Sequence, residues 1–344
     1  MTNEIEADAD DMYLDAVTYV ADGYGQVRPG EQPRFLARGE YSLNYHLPFV
    51  TGDAVLRLVT GSQIGLALPD QVVYEARALK LLAPSGRTPR LLAVEPQPEA
   101  LPYPFLTETF LPGRPLDYAT DLVGAAACVA DIHAVPVTAD HGLQLHDRPG
   151  PSIYAESRAW ATKYLGWDGA ATASRAELHR AFEAVERDLA ASDDLFREPD
   201  LVFVNYDLNT HNFVVHDGQV ALLDWEKARV APAVQDLAHF LLPTTTLWRA
   251  ATATRLTAAQ RDGFIDAYLA CRPAPDRTRF LQQLAAMERM IALRAVSWCA
   301  WALHAAATGE RAISNRETLD ASAGYLQPDF LADLFGTATV PVDG

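Results

Sequence analysis

The segment from Asn205 to Glu226 reads NYDLNTHNFVVHDGQVALLDWE. Asp217-Gly218 stands between two runs of β-type residues, the strongest short-range signal for a hairpin. The second run ends at Asp224, so that carboxylate is carried on a strand end. Asn212 opens the first run, and closure of the hairpin brings it near Asp224. A carboxylate and an amide oxygen side by side suit Mg2+, a hard cation that keeps several waters and takes few protein ligands. Asp207 lies further back on the preceding loop, where it can face a third group. Phosphoryl transfer needs such a division: metal ligands for the nucleotide phosphates, and a separate carboxylate to take a hydroxyl proton. The plainer alternative is a polar loop whose Asp and Asn side chains bond their own backbone.

Composition sets the outer bounds. A chain of 344 residues with 49 % hydrophobic residues can build one large domain or two lobes with separate cores. The net charge of −17 argues against a nucleic-acid backbone as partner, which would call for a basic face. It is compatible with drawing in a cationic small molecule, or simply with solubility. No run approaches the roughly 20 apolar residues of a bilayer span. The acidic start, MTNEIEADADDMYLDAV, lacks a secretory pattern, so no membrane partner and a cytoplasmic location are expected. Cys128, Cys271 and Cys299 are far apart in apolar, helix-like surroundings and read as small buried hydrophobes.

Organisation changes along the chain. Up to about residue 110 it is strand-rich: RFLARGEYSLNYHLPFV, DAVLRLVTG, TPRLLAVE and YPFLTETFL cluster branched and aromatic residues between turn formers. Among them DQVVYEARALKLLA carries Val72, Val73, Ala76, Leu79 and Leu82 on one helical face, with Asp70 as the expected N-cap. PGRPL, residues 112–116, reads as a connector. From Ala119 onward helices dominate, ending in TRFLQQLAAMERMIALRAVSWCAWALHAA. The expected fold class is α+β and bilobal: a small β-rich lobe over residues 1–110 and a larger helical lobe over 111–344 with one embedded hairpin.

NYDLNTHNF followed by LLDWE resembles the aminoglycoside phosphotransferase and choline kinase family, relatives of the protein kinases, whose pattern is H-x-D-x-x-x-x-N and then I/L-D-W/F-E. The resemblance implies a protein-kinase-like fold, Asp207 as catalytic aspartate, and Asn212 and Asp224 as Mg2+ ligands. Asp236, in VQDLAHF, matches a family aspartate that buttresses the catalytic loop. Asn205 stands where the family has histidine; it still donates and accepts hydrogen bonds, so loop support remains possible. Upstream, GEYSLNYHL resembles the nucleotide-covering hairpin, with Gly39, Ser42, Asn44 and Tyr45 as its residues. By itself that stretch is a strand pair with one glycine. Arg57, a cation among apolar strand neighbours, stands where protein kinases carry a phosphate-touching lysine, with Glu75 as its helix partner; the alternative is an edge arginine facing solvent. FLTETFLPG resembles the hinge, where backbone near Glu108 to Phe110 would read adenine. His133 reads as a packed helix residue. The resemblance runs from about residue 35 to 300.

The expected activity is transfer of the γ-phosphoryl group of ATP, or GTP, with Mg2+, to a hydroxyl of a small molecule: an antibiotic, an aminoglycoside-like compound, a nucleoside, or a sugar or alcohol metabolite. Antibiotic resistance is one role this would serve. Candidate acceptor walls are Tyr154, Trp160, Glu288, Trp298 and Trp301, together with Glu226 and Lys227. Aromatics beside acids suit a cationic ligand, though such a stripe also serves as core packing, and Lys227 could equally be a solvated loop residue. The alternative function is a kinase-like scaffold that holds nucleotide without transferring phosphate. No APE-type segment follows LLDWE, which argues against peptide substrates.

Overall fold

A computed structural model describes residues 12–311, 313 and 315–336; the acidic stretch 1–11 lies outside the described residues. The chain forms two compact units that are not contiguous in sequence. The first comprises the chain up to Leu116, Ala127–Gln144 and His211–Arg229. The second comprises Asp117–Ala126, Leu145–Thr210 and the described residues from Val230 onward.

The first unit opens with helix α1 (Leu14–Ala21) and strands β1 (Arg34–Arg38), β2 (Ser42–Leu47) and β3 (Ala54–Val59). Helix α2 (Leu68–Leu82) precedes β4 (Leu91–Glu95) and β5 (Phe105–Thr109). The strands form one antiparallel sheet in the order β1-β2-β3-β5-β4. Side chains alternate between sheet faces, and the two faces differ in chemistry. Leu43, Tyr45, Leu47, Ala54, Leu56, Leu58 and Phe105 share one apolar cluster with Val17 and Ala21 of α1. Arg57 lies opposite Asn44 in the register, so both belong to the other face. Helix α2 starts before the expected cap: its N-cap is Ala67, without a side-chain bond, and Pro69 and Asp70 occupy the first turn. Proline there is already preset for the helix, and the acid complements the helix dipole.

PGRPL does more than connect. Arg114–Pro115 (β6) pairs with β9 (Phe213–His216) of the hairpin, whose second strand is β10 (Gln219–Leu222). Gly113 has φ +151°, and a Cβ there would meet the Val215 carbonyl oxygen at 2.6 Å. The hairpin is further tied to the first unit by Arg87, whose carbonyl accepts from the Leu222 N–H at 2.8 Å and whose guanidinium donates to the Val220 carbonyl at 3.2 Å. The residues carrying Asn212 and Asp224 therefore group with the sheet-rich unit, not with the helical part assigned by the division at residue 110.

Strands β7 (Gln144–Leu145), β8 (Leu201–Val204) and β11 (Arg229–Pro232), which belong mostly to the second unit, form a small sheet of order β7-β11-β8. Helix α3 (Leu122–His133) belongs to the second unit up to Ala126 and to the first from Ala127, and His133 on it is buried. The rest is helical: α4 (Pro149–Leu165), α5 (Thr172–Ser192), α6 (Val234–Leu241), α7 (Pro243–Thr246), α8 (Ala258–Cys271), α9 (Arg277–Thr308), α10 (Arg316–Tyr325) and α11 (Pro328–Gly336). By length and composition α9 could cross a membrane, contrary to the sequence scan, but 56 % of its most apolar stretch is buried inside the fold. It packs against α4, α6 and α10, as a core helix does. Cys128 and Cys299 are buried, whereas Cys271 is exposed because it closes α8 at the surface.

Candidate active site

Arg57 gathers the charged groups of the first unit. It sits on β3, between β2 and β5, so it is no edge residue, and only 7 % of it is exposed. Its Nε donates to the Glu75 carboxylate of α2 at 3.0 and 3.2 Å. Its Nη2 donates to Asp224 Oδ1 at 2.8 Å and to Glu226 Oε2 at 3.0 Å. Burial works against the Arg57 charge, but Asp224, Glu75, Glu226 and Glu108 outweigh it and hold its pKa above the usual value. One guanidinium thus serves several carboxylates. Burial, reinforced by the Asp224 charge, pushes Glu108 up to about 7 against the pull of Arg57. Glu75 and Glu226 are raised in the same direction, again mainly by burial.

The hairpin closes as the Asp217-Gly218 signal implied. His216 pairs with Gln219 across a two-residue loop in which both residues have positive φ, 47° and 74°, the combination a type I′ turn requires. At the open end the Leu223 N–H donates to the Asn212 carbonyl at 2.6 Å. That bond fixes the backbone of Asn212 beside the residue preceding Asp224. Asp224 itself has φ +60°, an uncommon state for a residue with a side chain. Beyond it, Trp225 is fully buried with its indole N–H on the Leu222 carbonyl.

The catalytic-loop candidates lie in the second unit. Asp236 on α6 accepts the backbone N–H groups of Asn205 at 2.8 Å and of Tyr206 at 2.9 Å. Asn205 is completely buried, and its Oδ1 accepts the Asp207 N–H at 3.1 Å. Tyr206 carries φ +72°, so the turn presenting Asp207 is held in a strained state. His239, one turn beyond Asp236 on α6, accounts for more of the loop. Its Nδ1 is 3.0 Å from the Leu208 carbonyl, and its Nε2 is 3.8 Å from Asp207 Oδ1.

Other expected site residues fall differently. Tyr45 lies in the apolar core against Phe35, because its strand position is odd to that of Asn44. The Asn44 amide is 3.4 Å from the Ala37 carbonyl and the Ser42 hydroxyl. The Gly39 N–H is committed to the Ser42 carbonyl, and the Phe110 N–H to the Asp53 carbonyl. Glu226, placed among the acceptor residues by sequence, is engaged by Arg57 instead. Lys227 is buried, not solvated. Glu288 forms an ion pair with Arg261, and its pKa is raised by burial. Tyr154 packs edge-on against Phe182, while Trp298 joins Trp248 and Trp301 in an aromatic cluster. Trp160 lies under the Arg294 guanidinium at 5.0 Å.

Sequence inspection passed over His239 and Arg294. His239 follows Asp236 at helical spacing, which puts the two on one face. Arg294 is a lone cation inside the apolar run MIALRAVSW, the same kind of signal that singled out Arg57.

A sheet bearing a buried Arg–Glu pair, followed by a hairpin ending in aspartate and by a helical unit, defines an α+β protein-kinase-like fold. The profile of the phosphotransferase enzyme family (APH) matches residues 33–281, and the chain belongs to that family. Among solved structures it is similar to a spectinomycin phosphotransferase in complex with ADP and spectinomycin, at 11 % identity and TM-score 0.62, covering 94 % of this chain and 97 % of that one. A choline/ethanolamine kinase family protein from Mesorhizobium loti aligns at 17 % identity and TM-score 0.62, covering 96 % and 99 %. An amicoumacin kinase in complex with AMP-PNP, Ca2+ and amicoumacin aligns at 15 % identity and TM-score 0.62, covering 98 % and 96 %. A search of the curated proteins found no match.

Proposed function

We propose that this protein is a Mg2+-dependent kinase that moves the γ-phosphoryl group of ATP to a hydroxyl of a small molecule. The observation that carries this assignment is the Arg57 cluster: one guanidinium bonded to Glu75, Asp224 and Glu226, with Glu108 within electrostatic reach. Burial raises Glu75, Glu108 and Glu226, so further positive charge is favoured beside them, which suits a divalent ion with hard oxygen ligands. Asn212 and Asp224 would hold that ion. When bound, it supplies neutralisation of phosphate charge.

The chain's own groups do the rest. Arg57, braced by Glu75, offers a planar donor fork to phosphate oxygens. Asp207, held by Asn205 and by the Asp236 clamp behind it, orients the acceptor hydroxyl and takes its proton as the phosphoryl group leaves ATP. Positioning and electrostatics account for most of catalysis in such a reaction. The fold neighbours named for spectinomycin, amicoumacin and choline or ethanolamine kinases define a panel of acceptors to try, with aminoglycosides and nucleosides added.

The test is ATP consumption with Mg2+ against that panel. Asp207→Asn and Asp207→Ala should lose transfer while nucleotide affinity stays near wild type. Asp224→Ala should instead weaken metal-dependent nucleotide binding. Near-normal turnover in the Asp207 variants would remove that residue as the base. Nucleotide binding without transfer to any acceptor would favour a scaffold.

A further inference from the structure

The Asp236 clamp secures the backbone of Asn205 and Tyr206 from one side. A second group holds the same loop through a side chain. Arg294, on α9, stands over the Tyr206 ring at 4.3 Å and over the Trp160 ring at 5.0 Å. Its Nε donates to Glu156 Oε2 on α4 at 2.7 Å, and the Tyr206 hydroxyl is 3.4 Å from the same oxygen. Its side chain is only 11 % exposed. A guanidinium so enclosed gains from both rings and from its carboxylate.

Tyr206 is the residue with φ +72°, and Asp207 follows it directly. Strain of this kind persists only where the surroundings over-determine it. Tyr206 is buried with Val202, Val204, Ala231 and Ala233. Within that packing the Tyr206 ring is oriented by the Arg294 stack and the Glu156 contact, with the His146 ring edge-on at 6.0 Å. Arg294 lies against the turn of Asp207 through its stack on Tyr206, close enough for the two charges to favour each other. Burial opposes the Arg294 charge, but Tyr206, Glu156 and, to a smaller degree, Asp207 outweigh it.

We infer that Arg294 is a positioning residue for Asp207: it locks Tyr206 in its strained turn and lends positive charge to the carboxylate that follows. The inference rests on Asp207 being the base. Charged and titratable groups near Asp207 in the second unit include His239 and Asp236 on α6, Arg294 on α9, Tyr206 beside it, and Glu156 on α4, which is already paired with Arg294. Removing Arg294 removes a cation from this set and leaves Glu156 in place. Protonation of Asp207 then becomes easier, and the acid limb of activity moves to higher pH.

The experiment uses the full chain, with Mg·ATP and water as the phosphoryl acceptor, read as phosphate release, and repeats it with any acceptor found in the panel. Arg294→Met should lower kcat at least about tenfold, since a misplaced base is costly, with KM for ATP within about threefold. Its acid limb should shift upward. Arg294→Lys keeps the charge but loses the planar fork, so kcat should fall severalfold with the acid limb unmoved. Glu156→Gln should resemble the lysine variant in kcat. If Arg294→Met does not fold, the Lys and Gln variants decide, and wild-type kcat in both overturns the inference. An active wild type alongside an Arg294→Met variant with unchanged kcat and pH profile overturns the inference alone. A wild type that releases no phosphate with water or with any acceptor overturns phosphotransfer, and the role of Arg294 with it.

Discussion

Asp236 is a single carboxylate that accepts two consecutive backbone N–H groups, those of Asn205 and Tyr206. An amide in its place offers one accepting oxygen and turns an NH2 toward the other donor. Asp236→Asn should therefore cost about 2–3 kcal/mol of stability, the penalty for a buried unmet donor beside a lost charge-assisted bond. It should also reduce kcat at least about tenfold, because Asp207 hangs on the same turn. Urea denaturation and single-turnover kinetics read the two effects; unchanged stability would mean the clamp is not what holds the loop. At this scale Asp207, Asn212, Asp224 and Asp236 were the candidates that spacing and resemblance offered. His239 carried only the i, i+3 signal, and Glu156 carried none. Its partner Arg294 is 138 positions away.

Hairpins and connectors show what local chemistry can and cannot specify. Asp217-Gly218 dictates its turn outright, and the strands register around it. PGRPL looked like a link because Pro and Gly interrupt any pattern, yet Gly113 is required where it is for a different reason. Its φ of +151° and the 2.6 Å approach of the Val215 carbonyl leave no room for a side chain. Gly113→Ala should destabilise the protein by about 2–3 kcal/mol, through strained backbone plus displacement of the neighbouring strand. A thermal melt checks this, and a melting temperature equal to wild type would show that β6 and β9 can separate freely. Tyr45 teaches the complementary lesson. Its neighbours in GEYSLNYHL suggested a nucleotide-facing residue, but strict alternation along β2 sends it to the apolar face with Phe35.

For the whole molecule, the crowding of carboxyls around Arg57 makes stability depend on pH in a definite sense. Glu108 titrates near 7 when folded, and Glu75 and Glu226 are raised as well, against about 4.3 for an unfolded glutamate. Groups with raised pKa favour the folded state fully below the unfolded value, and that contribution is lost as pH rises through about 7. Asp53, held below its usual range chiefly by its hydrogen bond from Arg28, acts in the opposite sense, but only below about pH 4. The melting temperature without metal should fall between about pH 5 and 8, and Mg2+ should raise it more at pH 8 than at pH 5.5, since the ion binds the deprotonated cluster. Melts with and without MgCl2 across that range read the effect, and an equal Mg2+ shift at both ends would show that the metal's charge does not reach these carboxyls. Alternation, turn residues and apolar periodicity act between near neighbours, so the sequence by itself determined most strands and helices, the hairpin and the family. Beyond the Arg57–Glu75 pair that the resemblance implied, which acid meets which cation was decided only by the tertiary fold: Arg57 and Asp224 are 167 positions apart, and nothing in either one's local surroundings encodes their meeting, because burial and Coulomb attraction depend on distance in space and not along the chain.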